Sequence, residues 1–175
     1  AGSGSDALAA KTTAVLDGFS IVNGGTGTSA GGGILITNSS PRIRNCTLRD
    51  NAATDGGGAA VIGAGDVLFQ DCLFTGNTAG FGSAVRNTTG AATTITMRRC
   101  AVVRNTCTAG TAGTIGVWCN LVMENCLVAN NDGTSWIMDV SPSPSVTLIN
   151  CTLANNRAVF EGGPNPMVGI ALGNN

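Results

Sequence analysis

The stretch Phe69-Gln70-Asp71-Cys72-Leu73-Phe74-Thr75-Gly76-Asn77 decides the fold, because its chemistry returns along the whole chain. The cysteine recurs as Cys46, Cys72, Cys100, Cys126 and Cys151, at spacings of 26, 28, 26 and 25 residues, and Phe19 stands 27 residues before the first. Fixed-period self-similarity sets an architecture before any local reading does. Other columns hold the same register. Five residues after each marker stand Asn51, Asn77, Asn105, Asn131 and Asn156, with Gly24 in the first coil. Two residues after stand Ile21, Leu48, Phe74, Val102, Val128 and Leu153. Three before stand Leu16, Ile43, Phe69, Met97, Met123 and Leu148, and five before stand Ala14, Pro41, Val67, Ile95, Leu121 and Val146.

Within a coil, the apolar pair before the marker and the pair formed by the marker and the residue two beyond it each obey the period of two of a β-strand. The odd step between the pairs requires a corner. The residue before the marker is Gly18, Asn45, Asp71, Arg99, Asn125 or Asn150, and apart from Arg99 these types tolerate a left-handed backbone. A third apolar run follows each asparagine: Gly33–Ile36, Ala59–Ile62, Ala84-Val85, Thr114–Val117, Trp136–Met138 and Met167–Ile170. Side chains that return to one place on every circuit stack as parallel strands about 4.8 Å apart. The pattern predicts an all-β fold, a single-stranded right-handed parallel β-helix (a β-solenoid) over residues 14–175. It has about six coils of 25–28 residues with three short strands each, and residues 1–13 form an N-terminal extension or partial cap.

Composition narrows the chemistry. Of 175 residues, 43% are hydrophobic and 11% charged, and histidine is absent. Imidazole-based triads and histidine metal ligands are therefore excluded. Nine basic against ten acidic residues leave no electrostatic footprint for nucleic acid, and no stretch is long and apolar enough for membrane insertion. No cofactor is expected. Buried cysteine behaves as a small hydrophobe, so the cysteine column reads as packing in a narrow interior rather than as a metal or redox site. The asparagine column reads as a ladder of amides bonded along the axis. Cys107 and Cys119 fall outside the repeat; their separation within one coil permits a disulfide, which would indicate an oxidising compartment.

The segments Leu48-Arg49-Asp50-Asn51-Ala52 and Phe74-Thr75-Gly76-Asn77-Thr78-Ala79, with their equivalents to Asn105, Asn131 and Asn156, resemble the FxxN element of polymorphic outer membrane protein repeats. Gly31–Ile34, Gly57–Ala60 and Gly82–Val85 resemble that family's GGAI element. The resemblance implies a pectate-lyase-like β-helix, secreted or displayed on a bacterial cell surface, as in adhesins and autotransporter passengers. Only one coil keeps the phenylalanine, and the GGAI element weakens to Ala112–Ile115 and Gly133–Ser135 in later coils.

Enzymes on this fold need clustered carboxylates on an outward column. The column two before the marker reads Asp17, Arg44, Gln70, Arg98, Glu124, Ile149, which alternates in sign and suggests surface ion pairs. No nonapeptide calcium motif is present, and Asp55-Gly56 and Asp132-Gly133 read as turns. Asn38-Ser39-Ser40 matches a glycosylation sequon. Threonines share their outward column with Leu73 and Leu127, which breaks any ice-binding array. The second strand is apolar outward as well as inward, and Leu73, Ala101, Val103, Leu127 and Ala129 are expected to form a self-association face. The apolar run Val168–Leu172 near the C-terminus points to further coils or to end-to-end stacking. The expected function is that of a non-enzymatic extracellular structural protein, self-associating laterally or end to end into a filament or surface layer. An adhesin segment with a carbohydrate or host-surface ligand is the alternative, followed by a polysaccharide-active enzyme.

Overall fold

The computed structural model describes residues 14–25, 29–89, 93–109, 113–133, 137–140, 145–158 and 170–172. Its strands form four parallel sheets, three of six strands and one of five, and neighbours in a sheet belong to consecutive coils. The first sheet comprises Val15–Asp17, Arg42–Arg44, Val67–Gln70, Thr94–Arg98, Asn120–Glu124 and Val146–Ile149. The second comprises Ser20–Val22, Thr47–Arg49, Leu73–Thr75, Ala101–Val103, Leu127–Ala129 and Thr152–Ala154. The third expected run supplies Ile34–Thr37, Ala59–Ile62, Val85–Asn87, Ile115–Val117, Met138–Val140 and Ile170–Leu172. The chain is thus an all-β parallel β-helix of about six coils. Trp136 and Met167–Gly169 of the expected third runs, and the extension 1–13, lie outside the described residues.

The structure adds a fourth strand to the three expected per coil. It follows each asparagine directly, as Ala52–Asp55, Thr78–Phe81, Thr106–Cys107, Asp132–Gly133 and Arg157–Ala158. These segments are short and mostly small or polar, so they carry no apolar alternation; only their stacking on equivalents 25 to 28 residues away makes them strands.

Register follows the columns. Ile43 pairs with Phe69, Phe69 with Met97, Met97 with Met123 and Met123 with Leu148, so one inward column crosses the whole first sheet. In the second sheet Leu48, Phe74, Val102 and Val128 are fully buried. Phe69 and Phe74 meet edge to face across the interior, ring centroids 5.2 Å apart and planes at 76°, a contact worth about 1 kcal/mol beyond the area it buries.

Two corners flank the second sheet, and both are left-handed. Before the marker, Asn45, Asp71, Arg99, Asn125 and Asn150 have φ of 50 to 54°, and Gly18 has φ 78°. Four residues after it, Asn23, Asp50, Arg104, Asn130 and Asn155 have φ of 51 to 57°, with Gly76 at 65°. The first corner follows from residue type; the second stands in a column whose mixed charges draw the eye to electrostatics instead. Arg99 and Arg104 are the residues least suited to this conformation. Arg99 gains an offset, donating from Nε and Nη2 to the Asp71 carboxylate of the coil below at 2.7 and 2.8 Å. Arg104 forms no ion pair among the described residues. Arg104→Gly is therefore expected to stabilise the fold by about 1 kcal/mol. Arg99→Gly should gain less. Urea midpoints at unchanged m-value measure the difference.

Candidate functional site

The asparagine column is a continuous hydrogen-bonded ladder along one edge of the interior. Each side chain plays the same double role. Asn105 Oδ1 accepts from the Asn77 backbone N–H at 3.0 Å and from Asn77 Nδ2 at 2.9 Å. Its own Nδ2 donates to Phe74 O at 3.0 Å, to Val103 O at 3.2 Å and to Asn131 Oδ1 at 3.0 Å. The pattern repeats from Asn51 to Asn156, and at the first coil Asn51 Oδ1 accepts from the Gly24 N–H. All five asparagines are at most 5% exposed, so each amide meets backbone groups that no water reaches. Glycines from the GGAI-like element leave room beside this ladder. A Cβ on Gly33 would stand 2.6 Å from Gly58 O and 2.9 Å from Asn51 Nδ2. Asn105→Ala strands several buried donors and acceptors at once, and should cost about 3 kcal/mol or more in urea unfolding.

The cysteine column lies inside, with Cys46, Cys72, Cys100 and Cys126 at 1 to 3% exposure and Cys151 half-buried. Each thiol finds acceptors in the backbone: Cys100 Sγ reaches Phe69 O of the preceding coil and Arg98 O, both at 3.4 Å. The neighbouring Cys126 and Cys72 thiols, with burial, push Cys100 well above the ordinary thiol range. Burial also pushes the Cys151 thiol up. The column is core packing, and no group of three or more metal-ligating side chains occurs among the described residues.

The disulfide considered between Cys107 and Cys119 is not formed. The two thiols sit in different environments. Cys107 is on the extra sheet, its Sγ 3.0 Å from Gly80 O, whereas Cys119 belongs to the central core, where burial pushes its pKa up to about 12. Alkylation of the native protein with iodoacetamide should therefore modify Cys151 first, faster as pH rises, while the six buried thiols react only on unfolding. Peptide mass spectrometry reads the order, and the intact non-reduced mass checks the missing bridge.

On the outer surface, the sign-alternating column forms ion pairs. Arg44 Nη2 lies 2.9 Å from Asp17 Oδ2, and Arg98 Nε lies 2.8 Å from Glu124 Oε2. Beside them, the Arg99 hydrogen bonds, then that from Gln70, hold the Asp71 carboxyl below the usual range. A lowered carboxylate pKa adds stability above the ordinary aspartate range that is lost as pH falls; with Arg99 exposed and Asp71 half-buried, solvent screens the pair and this contribution is small. An open cleft of about 360 Å³ runs over the same sheet, where Arg42, Thr96 and Arg98 surround Asp66, the single acid in its lining.

The expected self-association face is only partly as read. Leu73, Ala101 and Leu127 are in register on adjacent coils, with Leu127 40% exposed and the other two half-buried. Val103 is half-buried, but Ala129 is covered, at 6% exposure. Val103 and Ala154 flank it in register.

One group of polar residues escaped the sequence reading. Arg86 occupies an outward position of the sheet that contains Val85–Asn87, yet it is only 7% exposed. The rings of Phe81 and Trp118 cover it, with centroids 5.6 and 5.0 Å from its guanidinium carbon, and Asp55 Oδ1 lies 3.4 Å from its Nε. A signal did exist: Arg86 shares its outward column with Leu35, Ala60, Gly116 and Ala171 and with one other charged residue, Asp139, which is likewise buried.

A family model for the right handed beta helix region matches residues 3–157. The chain belongs to this family. No curated protein and no solved structure matches it. For this right-handed β-helix the family fixes the winding that the column argument anticipated, while the polymorphic outer membrane protein likeness is a finer statement. The family match spans the asparagine and cysteine ladders together, and also covers Arg86, Phe81, Trp118 and Asp55.

Proposed function

We propose that this β-helix is a non-enzymatic extracellular structural protein that assembles with copies of itself. One observation carries the reading. The inward columns that are closed in the middle coils are open in the outer ones: Phe19, opposite the buried Cys46, is 56% exposed, and Leu148, opposite the buried Met123, is 36% exposed. Such faces present both apolar side chains and strand edges, which another coil covers by continuing the sheets. A second copy stacked end to end does so without new chemistry, and repetition of that contact extends the rod. The strip of Leu73, Ala101 and Leu127 offers a lateral contact between rods.

Two further features support the reading. Asp17, Asp50, Asp71, Glu124 and Asp132 each lie within 3.0 Å of an arginine nitrogen, and the cleft on the first sheet has one acid where glycoside hydrolysis generally needs two. Surface display rests on the FxxN and GGAI likeness. Its key residues have defined tasks here, with Phe74 fully buried three residues before the ladder residue Asn77. The same likeness favours a displayed adhesin segment as the second reading.

Electron microscopy of the purified chain over a concentration series tests assembly. Rods much longer than the about 29 Å of six stacked coils are expected. Leu148→Asp should shorten them, and Leu127→Lys should separate bundled rods without shortening them. Single short rods at every concentration would overturn the proposal.

A further inference from the structure

We propose that Cys126 and Cys151 form a thiol–disulfide exchange site at the sixth coil, which small disulfides oxidise to a bridge between coils, a property independent of self-assembly. The two residues are stacked. Leu127 pairs in register with Thr152, and the Thr152 N–H donates to Cys126 O at 2.8 Å, so the cysteines before them stand one coil apart, about 4.8 Å between Cα atoms. That separation lies within the span of a disulfide. The side chains are directed to one place as well. Cys151 Sγ lies 3.4 Å from Met123 O of the coil below, and Cys126 Sγ lies 3.4 Å from Glu124 O, the adjacent carbonyl of the same strand.

Access and freedom to move set this pair apart from the rest of the column. Cys46, Cys72, Cys100 and Cys126 are buried, whereas Cys151 is half-buried and open to a small reagent. Among the described strands, Val146–Ile149 and Thr152–Ala154 are the last of their sheets, and Leu148, Ile149 and Thr152 are exposed. A coil packed on one side can close the small gap by which stacked Cβ atoms exceed those of a relaxed bridge; coils clamped on both sides cannot. Hydrogen bonding by the Cys100 thiol, with a smaller contribution from Cys151, holds Cys126 down at about 6, so it is largely thiolate at neutral pH. The exchange then runs in two steps. The Cys151 thiolate attacks one sulfur of a small disulfide, forming a mixed disulfide and releasing one reagent thiolate. The Cys126 thiolate attacks Cys151 Sγ, forming the bridge and expelling the other. Both cysteines are oxidised, the reagent disulfide is reduced, and the two thiol protons pass to solvent.

Dithiodipyridine added to the dilute full chain, where no stacked copy covers Cys151, tests this. Release of about two pyridinethiones per chain is expected, with peptide mass spectrometry recovering a Cys126–Cys151 linkage and no adduct. Cys126→Ser should halve the release and leave the reagent attached to Cys151, and Cys151→Ser should abolish release until the chain unfolds. Thermal melts confirm that the variants fold; should Cys126→Ser fail to fold, the product formed by the unaltered chain decides. Three results would overturn the proposal: a stable adduct on Cys151 of the unaltered chain, a bridge between any other pair, or no release before unfolding.

Discussion

The rest of this structure depends on one interaction, the pair of hydrogen bonds that each ladder asparagine donates from its backbone and its side chain to the amide oxygen of the next. A β-helix must turn its chain at every corner, and each turn leaves backbone groups pointing where no strand partner stands. The asparagine amide has one acceptor and two donor hydrogens, enough to satisfy the coil below, the coil above and a local carbonyl together. Asparagine alone among small side chains offers this balance. Aspartate cannot donate, and a threonine hydroxyl has one hydrogen to give. Because each residue serves its neighbours, the ladder acts as a unit, and the coils gain a common register that apolar stacking alone does not enforce.

That constraint propagates outward. With Asn51, Asn77, Asn105, Asn131 and Asn156 aligned, the corners immediately before them are forced to one geometry, and five residues of mixed chemistry adopt positive φ there. Arg104 and Asp50 pay the same conformational cost as Asn130, although their side chains suit it less well. The glycines beside the ladder answer the same demand from the other side, since the returning chain runs within van der Waals range of the amides. Later coils relax it. Ala84 and Thr114 hold the places of Gly33 and Gly58 in register, and both are fully buried.

The columns were legible in sequence because a solenoid places equivalent residues in equivalent surroundings, so local patterns reinforce one another across coils. Inward columns, left-handed corners before Cys46 and its equivalents, and ion pairs such as Arg98 with Glu124 all follow from that. What escaped has physical reasons. Thr106-Cys107 and Asp132-Gly133 are strands by stacking and not by composition. Ala129 is covered while Ala154, its register partner, is half-buried, a difference that the shared column does not reveal. Cys107 and Cys119 are close in sequence, but Cys107 lies on the extra sheet and Cys119 in the bend before Asn120–Glu124, and chain separation says little about which way two side chains point. Arg86 was hidden by its column, where an outward residue is presumed solvated; only the three-dimensional meeting of Phe81, Trp118 and Asp55 removes it from water.

The surface follows from the same economy of charge. A rod of stacked coils has little volume for its area, so few side chains are fully internal and most columns face outward. Where those columns are charged, opposite signs alternate between coils and the field along the rod is short-ranged, which leaves neither steering toward polyanions nor strong repulsion between rods. Where they are apolar, as along Leu73, Ala101 and Leu127, nothing of like charge keeps a neighbour away. Two charges of opposite sign are drawn inside on one outward column, Arg86 and Asp139, on either side of Gly116. Arg86 is held there by Asp55, 3.4 Å from its Nε, and by the Phe81 and Trp118 rings, contacts that offset part of the desolvation of its guanidinium.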